Sequence, residues 1–189
     1  MMNRCFQELD MEKLERVLQL LASARDQGRR VFVLGNGGSA ATAIHMVCDQ
    51  SKGTIRAGER RLRVISLADN MAVMTAWAND TSYEMVFCEQ LANLLDPGDV
   101  VIALSASGNS PNVLRAVEYA NQHGATTIGF LGFGGGKLKE MVQVDITVSC
   151  RDYGVVEDVH LSLNHILSQC LKKLAPHATT AAAAGAPSR

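Results

Sequence analysis

No cysteine pair in this 189-residue chain has the C-x-x-C spacing, and the five cysteines, at 5, 48, 88, 150 and 170, are odd in number. Neither a disulfide framework nor a cysteine-rich zinc site is expected. Reduced thiols in a cytoplasmic protein are the simplest expectation. Charge of one sign is not in surplus either: 18 Lys and Arg stand against 19 Asp and Glu, a net charge of −1. That balance offers no overall attraction for nucleic acid or an anionic membrane, so no direct nucleic-acid binding is expected. Long apolar runs are missing as well. Nothing approaches ~20 uninterrupted apolar residues, so no membrane span is expected. Arg4, Glu8, Asp10 and Glu12 interrupt anything resembling a signal-peptide core. A hydrophobic content of 47% is nevertheless enough for a sizeable core and excludes a wholly disordered chain.

What the chain does contain is an alternation. Leu9, Met11, Leu14, Val17, Leu18, Leu20 and Leu21 recur at helical spacing and predict one amphipathic helix over 3–28, ending near Gly28. Short apolar runs at 31–34, 62–67, 100–104, 126–131 and 145–148 predict strands, apolar on both faces as in a buried parallel sheet. Helical stretches separate them, at 39–51, 71–94 with a break near Asn79-Asp80, 111–123 and 136–142, and a last helix covers 155–174. Strand–helix alternation predicts an α/β fold: a three-layer αβα sandwich on a five-stranded parallel sheet, with an extra N-terminal helix and a long C-terminal one. Residues 1–174 are expected to form a single domain. From 175 to 189 the chain is rich in Ala, Thr and Gly, and a disordered tail is expected.

Two predicted strand ends are chemically distinctive. The first reads Leu34-Gly35-Asn36-Gly37-Gly38-Ser39-Ala40. Its glycines permit tight turns and close approach to a ligand, and the following helix offers free N–H groups. It is a poor dinucleotide fingerprint, since Ala40 replaces the third glycine and no acidic residue ends the second predicted strand; Asp69, just beyond that strand, lies about 30 residues past the loop rather than ~20. A Gly-Lys-Ser/Thr phosphate loop is absent. The second reads Leu104-Ser105-Ala106-Ser107-Gly108-Asn109-Ser110-Pro111. Ser110 before Pro111 predicts a helix N-cap with proline at the first helical position. Hydroxyls and helix-end amides of this kind suit a dianion without Lys or Arg. Each loop alone also suits a turn with no ligand.

The motifs GNGGS (35–39) and SASGNSP (105–111) resemble the sugar isomerase, or SIS, domain, and more closely the phosphoheptose isomerases within it. The resemblance runs over about residues 3–174. It implies an enzyme that interconverts sedoheptulose 7-phosphate and D-glycero-D-manno-heptose 7-phosphate through an enediol. It also implies one zinc ion per subunit and a homotetramer with sites at subunit interfaces. The same fold admits an isomerase of another sugar phosphate, and a non-catalytic binding protein of the replication-initiator-associated type.

His45 and Asp49 are four apart and share a helix face, which suits half of a metal site and equally an ordinary ion pair. By the resemblance, His45, Asp49, Glu157 and His165 are the metal ligands, Asp49 is the base and His165 the second acid–base group. Two of these depart from the family pattern, which has Glu at 49 and Gln at 157. Ser105, Ala106, Ser107 and Ser110 would hold the phosphate. Asn36, Gly37 and Gly38 would line the sugar, with Ser39 capping the helix. Asn79, Asp80, Asp49 and Glu157 would also contact substrate, although Asn79-Asp80 equally suits an ordinary turn. Residues eight apart on a straight helix differ by about 12 Å in height. Glu157 and His165 therefore meet one ion only if the helix starts after Glu157, or if they come from different subunits.

Overall fold

Residues 1–174 are described by the computed structural model; the tail expected over 175–189 lies outside them. Five apolar runs form β1 (Arg30–Gly35), β2 (Arg63–Ser66), β3 (Val100–Ser105), β4 (Thr126–Leu131) and β5 (Val144–Thr147). All pairings are parallel, in the order β2-β1-β3-β4-β5. The chain leaves β1 for β2 on one side and returns to place β3 on the other. That reversal is where ligands bind in open α/β sheets. Gly35 pairs with Leu104 across it, so the two distinctive loops leave the sheet side by side.

The helices are α1 (Met2–Gln7), α2 (Met11–Gln27), α3 (Gly37–Cys48), α4 (Met71–Asp80), α5 (Cys88–Leu94), α6 (Pro111–Gln122), α7 (Leu138–Met141) and α8 (Tyr153–Lys173). Strand side chains alternate between two cores. Val31, Val33, Ile102 and Leu104 pack with Leu21 of α2, Met46 of α3 and Leu163 of α8. Phe32, Leu34, Val101 and Ala103 pack with Leu91 of α5 and Val117 of α6. Being apolar on both faces is what makes these strands read as unbroken runs.

Three differences from the expected boundaries have a local cause or bear on the site. The helix expected over 3–28 is two, because Asp10 caps α2 by accepting from the Lys13 N–H at 3.0 Å. The last helix starts at Tyr153 rather than 155, because the Asp152 side chain accepts from the Val155 N–H. The helix expected over 39–51 starts at Gly37 and ends in a π turn over Asp49–Gly53. Such turns are frequent at functional sites.

The buried face of α8 includes His160 and Asn164 among leucines and valines. His160 is 1% exposed; its Nε2–H donates to the Leu131 carbonyl at 3.2 Å and its Nδ1 has no partner. Burial pushes its pKa from 6.5 down to about 4, against the opposing pull of the Leu131 bond. The unfolded chain therefore takes up this proton near pH 6.5 and the folded chain only near pH 4. Stability from this group is complete above pH 6.5 and is lost as pH falls towards 4. The expected loss is about 3 kcal/mol, to be read from urea unfolding at both ends of that window. His160→Gln should remove most of the difference; an unchanged slope would refute the assignment.

Candidate functional site

At the carboxyl end of β1, Gly35 sits where a Cβ would lie 2.8 Å from the Leu104 carbonyl oxygen. Only glycine lets the two strand ends approach so closely. Asn36 is the N-cap of α3 but makes no side-chain cap bond. Its amide is instead clamped: it exchanges two 2.9 Å hydrogen bonds with Asn112, and its Oδ1 also accepts from the Tyr83 hydroxyl at 2.9 Å. Because α3 begins at Gly37, Ser39 is not the cap expected of it. It lies in the first helical turn, 5% exposed.

The second loop runs from Ser105 to Ser110. The Gly108 N–H donates to Ser105 Oγ at 3.1 Å, and the Asn109 N–H to Ser107 Oγ at 3.3 Å. Ser110 is the N-cap of α6 with Pro111 at the first helical position, as expected, and its side chain makes no cap bond. The loops enclose a cavity of about 140 Å³ lined by Asn36, Ser39, Ser105, Ala106, Ser107 and Ser110, with Tyr153 and Glu157 of α8 on one side. A larger hollow of about 760 Å³, beside Met1, Cys5, Phe133 and Cys150, brings no imidazole or carboxylate together, so size does not select the site.

The helices α3 and α8 pack side by side and run the same way. Near their starts, Gly38 touches Glu157: a Cβ on Gly38 would lie 2.1 Å from Glu157 Oε2. Further along, Asp49 Oδ2 is 3.2 Å from His45 Nε2 and 2.9 Å from His165 Nδ1. It also accepts from Asn164 Nδ2 at 2.7 Å. The donor atoms of His45, Asp49 and His165 all lie within 4.8 Å of one another. The imidazoles are about half exposed, and the two rings meet edge to face at 5.1 Å. Two imidazoles and a carboxylate are ordinary zinc donors. A tetrahedral ion with ~2 Å bonds sets such donors about 3.3 Å apart, close to the spacings here. This donor set fits zinc.

The structure does not place every expected residue together. Glu157 and His165 lie on one continuous helix, which removes a helix start after Glu157. Among the described residues Glu157 stands at the cavity, outside the three-residue cluster. Asn79 and Asp80, at the end of α4, are exposed and bonded to each other at 2.8 Å; neither lines the cavity. Gly37 and Gly38 form the first turn of α3 beside it. Sequence reasoning missed Asn112, Tyr83, Tyr153, Gln50 and Asn164. For Asn164 a signal exists: it falls in phase with the apolar stripe of α8, where an amide is costly unless bonded.

The SIS domain model matches residues 2–132. The phosphoheptose isomerase of Geotalea daltonii is 42% identical over 161 residues, spanning 85% of this chain and 83% of that one. That of Aquifex aeolicus is 34% identical over 169 residues, spanning 89% and 88%. The solved structure of phosphoheptose isomerase from Neisseria gonorrhoeae superposes with a TM-score of 0.84 at 27% identity, over 92% of this chain and 94% of the other. Likeness of this extent, from relatives matched along most of their own length, settles descent: the chain belongs to the SIS-domain family and, within it, to the phosphoheptose isomerases.

Proposed function

We propose that the protein is an aldose–ketose isomerase that interconverts sedoheptulose 7-phosphate and D-glycero-D-manno-heptose 7-phosphate through an enediol. One observation carries this reading. The hydroxyl-lined cavity, with Glu157 of α8 on one side, and the His45–Asp49–His165 cluster lie along the same pair of helices, α3 and α8. From Glu157 to His165 is about 12 Å along a helix. An extended seven-carbon phosphate ester spans about 10 Å from phosphorus to C1, at roughly 1.3 Å per bond. Phosphate seated among Ser105, Ser107 and Ser110 therefore brings C1 and C2 to the cluster.

Isomerisation moves a proton between those two carbons and needs a base and an acid beside them. The three contacts to the Asp49 carboxylate all go to Oδ2. Its Oδ1 is the oxygen that takes the proton from carbon. The His165 imidazole, half exposed, exchanges a proton with the substrate oxygens. Asn36, clamped by Asn112 and Tyr83, presents a fixed amide to the sugar, and Glu157 accepts from its hydroxyls. His45, Asp49 and His165 would hold zinc, which when bound polarises carbonyl and hydroxyl oxygens as a Lewis acid. As a fourth ligand, Glu157 would have to come from a second subunit, consistent with a tetramer whose sites lie at interfaces. Residues 1–174 act as one SIS domain in this reading, and the enzyme works in the cytoplasm. Among the described residues no helix is long and apolar enough to cross a membrane.

The length match is testable by deuterium exchange at the carbon next to the carbonyl. A five-carbon ketose phosphate falls short of the cluster by about 2.5 Å, and a misplacement of ~1 Å already costs about 100-fold. At least that ratio of kcat/KM is expected in favour of sedoheptulose 7-phosphate. Equal rates on both sugars would overturn the reading.

A further inference from the structure

Asp49 is held by a fully buried residue. Asn164 on α8 is 0% exposed and donates from Nδ2 to Asp49 Oδ2 at 2.7 Å. Behind it, Gln50 is also 0% exposed and turns its Nε2 towards Asn164 Oδ1, at 3.4 Å. Gln50 Oε1 has no partner. Two amides thus occupy core positions between α3 and α8, and one is left with an unmatched acceptor. Burying such groups is costly, and leucine would pack there without that cost. The arrangement has a direction. Gln50 occupies the carbonyl side of Asn164, so the NH2 side faces the carboxylate. The π turn at Asp49–Gly53 supports it, by bringing both Asp49 and Gln50 towards α8.

We propose that Asn164, steered by Gln50, is a positioning residue for Asp49. It holds Oδ2 in place, stops the carboxylate from rotating, and leaves Oδ1 turned to the substrate and Oδ2 aligned with both imidazoles. Without that bond the short aspartate side chain swings free of the two histidines. This rests on the role given to Asp49 above.

The test uses the full-length protein and zinc alone, by competition with a chromophoric chelator, alongside steady-state kinetics. Asn164→Leu keeps the volume and Asn164→Ala leaves a cavity, so a folded variant is available from one or the other. Either is expected to weaken zinc binding by about 10- to 100-fold. It should lower kcat in parallel, and leave KM for sedoheptulose 7-phosphate within about threefold because the phosphate cavity is two helical turns away. Gln50→Met should show a smaller effect, about 3- to 10-fold, as expected for one hydrogen bond. In an Asp49→Asn background, Asn164→Ala should change zinc affinity no further, which a merely structural role would not produce. Unchanged zinc affinity and kcat in a folded Asn164 variant, or a full additional loss in the Asp49→Asn background, would overturn the proposal. Asp49→Asn alone separates the two ideas. Wild-type turnover in that variant removes the base assignment and the relay with it. Loss of turnover in Asp49→Asn with none in Asn164→Ala removes only the relay.

Discussion

Asp49→Asn should lower proton exchange between C1 and C2 by about 1,000-fold, the midrange for removal of a general base. The substitution keeps the shape of the side chain and removes its ability to accept a proton from carbon. It also takes the negative charge from between His45 and His165, whose nitrogens stand 3.2 and 2.9 Å from Asp49 Oδ2. Zinc affinity should fall for that reason. Sugar phosphate binding should stay within about threefold, because the cavity proposed to hold the phosphate lies about two helical turns from the cluster. Exchange followed by NMR and binding followed by calorimetry read the two effects apart. Exchange within tenfold of the unsubstituted enzyme would exclude Asp49 as the base. Glu157 is the other carboxylate near the substrate path. If Glu157→Gln keeps its exchange while Asp49→Asn loses it, Glu157 has not taken over the base role.

Gly108→Ala should cost about 3 kcal/mol or more of stability and abolish phosphate binding. Gly108 has φ +64, and a Cβ there would lie 1.9 Å from the Gly135 carbonyl oxygen and 2.5 Å from its carbon. Both obstacles are backbone, so no side-chain rotation relieves them. The segment that approaches is itself built of glycines: Gly134, Gly135 and Gly136 all have positive φ. It is tied to the serine loop by the Leu138 N–H donating to the Gly108 carbonyl at 3.0 Å and the Lys137 N–H donating to Asn109 Oδ1 at 3.1 Å. Pushing these segments apart opens the turn that aims Ser105, Ser107 and Ser110. Gly37→Ala is the control. Gly37 has φ +54 but nothing within 4 Å of its Cβ position. Its cost should be only that of the left-handed conformation, about 1–2 kcal/mol. Equal losses at the two positions in urea unfolding would show that the packing at Gly108 carries no special weight.

Much of this was legible in the chain. A short unbroken apolar run and an apolar periodicity of 3.6 are both local properties, so the five strands and the helices between them follow from residues near one another in sequence. So do the two loops, since glycines after an apolar run and a Ser-Pro helix start are local signals. His45 and Asp49 share a helix face for the same reason. Which loops become neighbours is a matter of sheet order, and the pairing of Gly35 with Leu104 puts 34–40 beside 104–111. Only α3 packed along α8 brings His165 and Asn164 to Asp49, across more than a hundred residues. The same packing sends Glu157 to the cavity rather than to the cluster. Local pattern is set by backbone geometry and the hydrophobicity of adjacent residues. Convergence of distant side chains is set by how whole elements bury their apolar faces against each other, and that exists only once the core has formed.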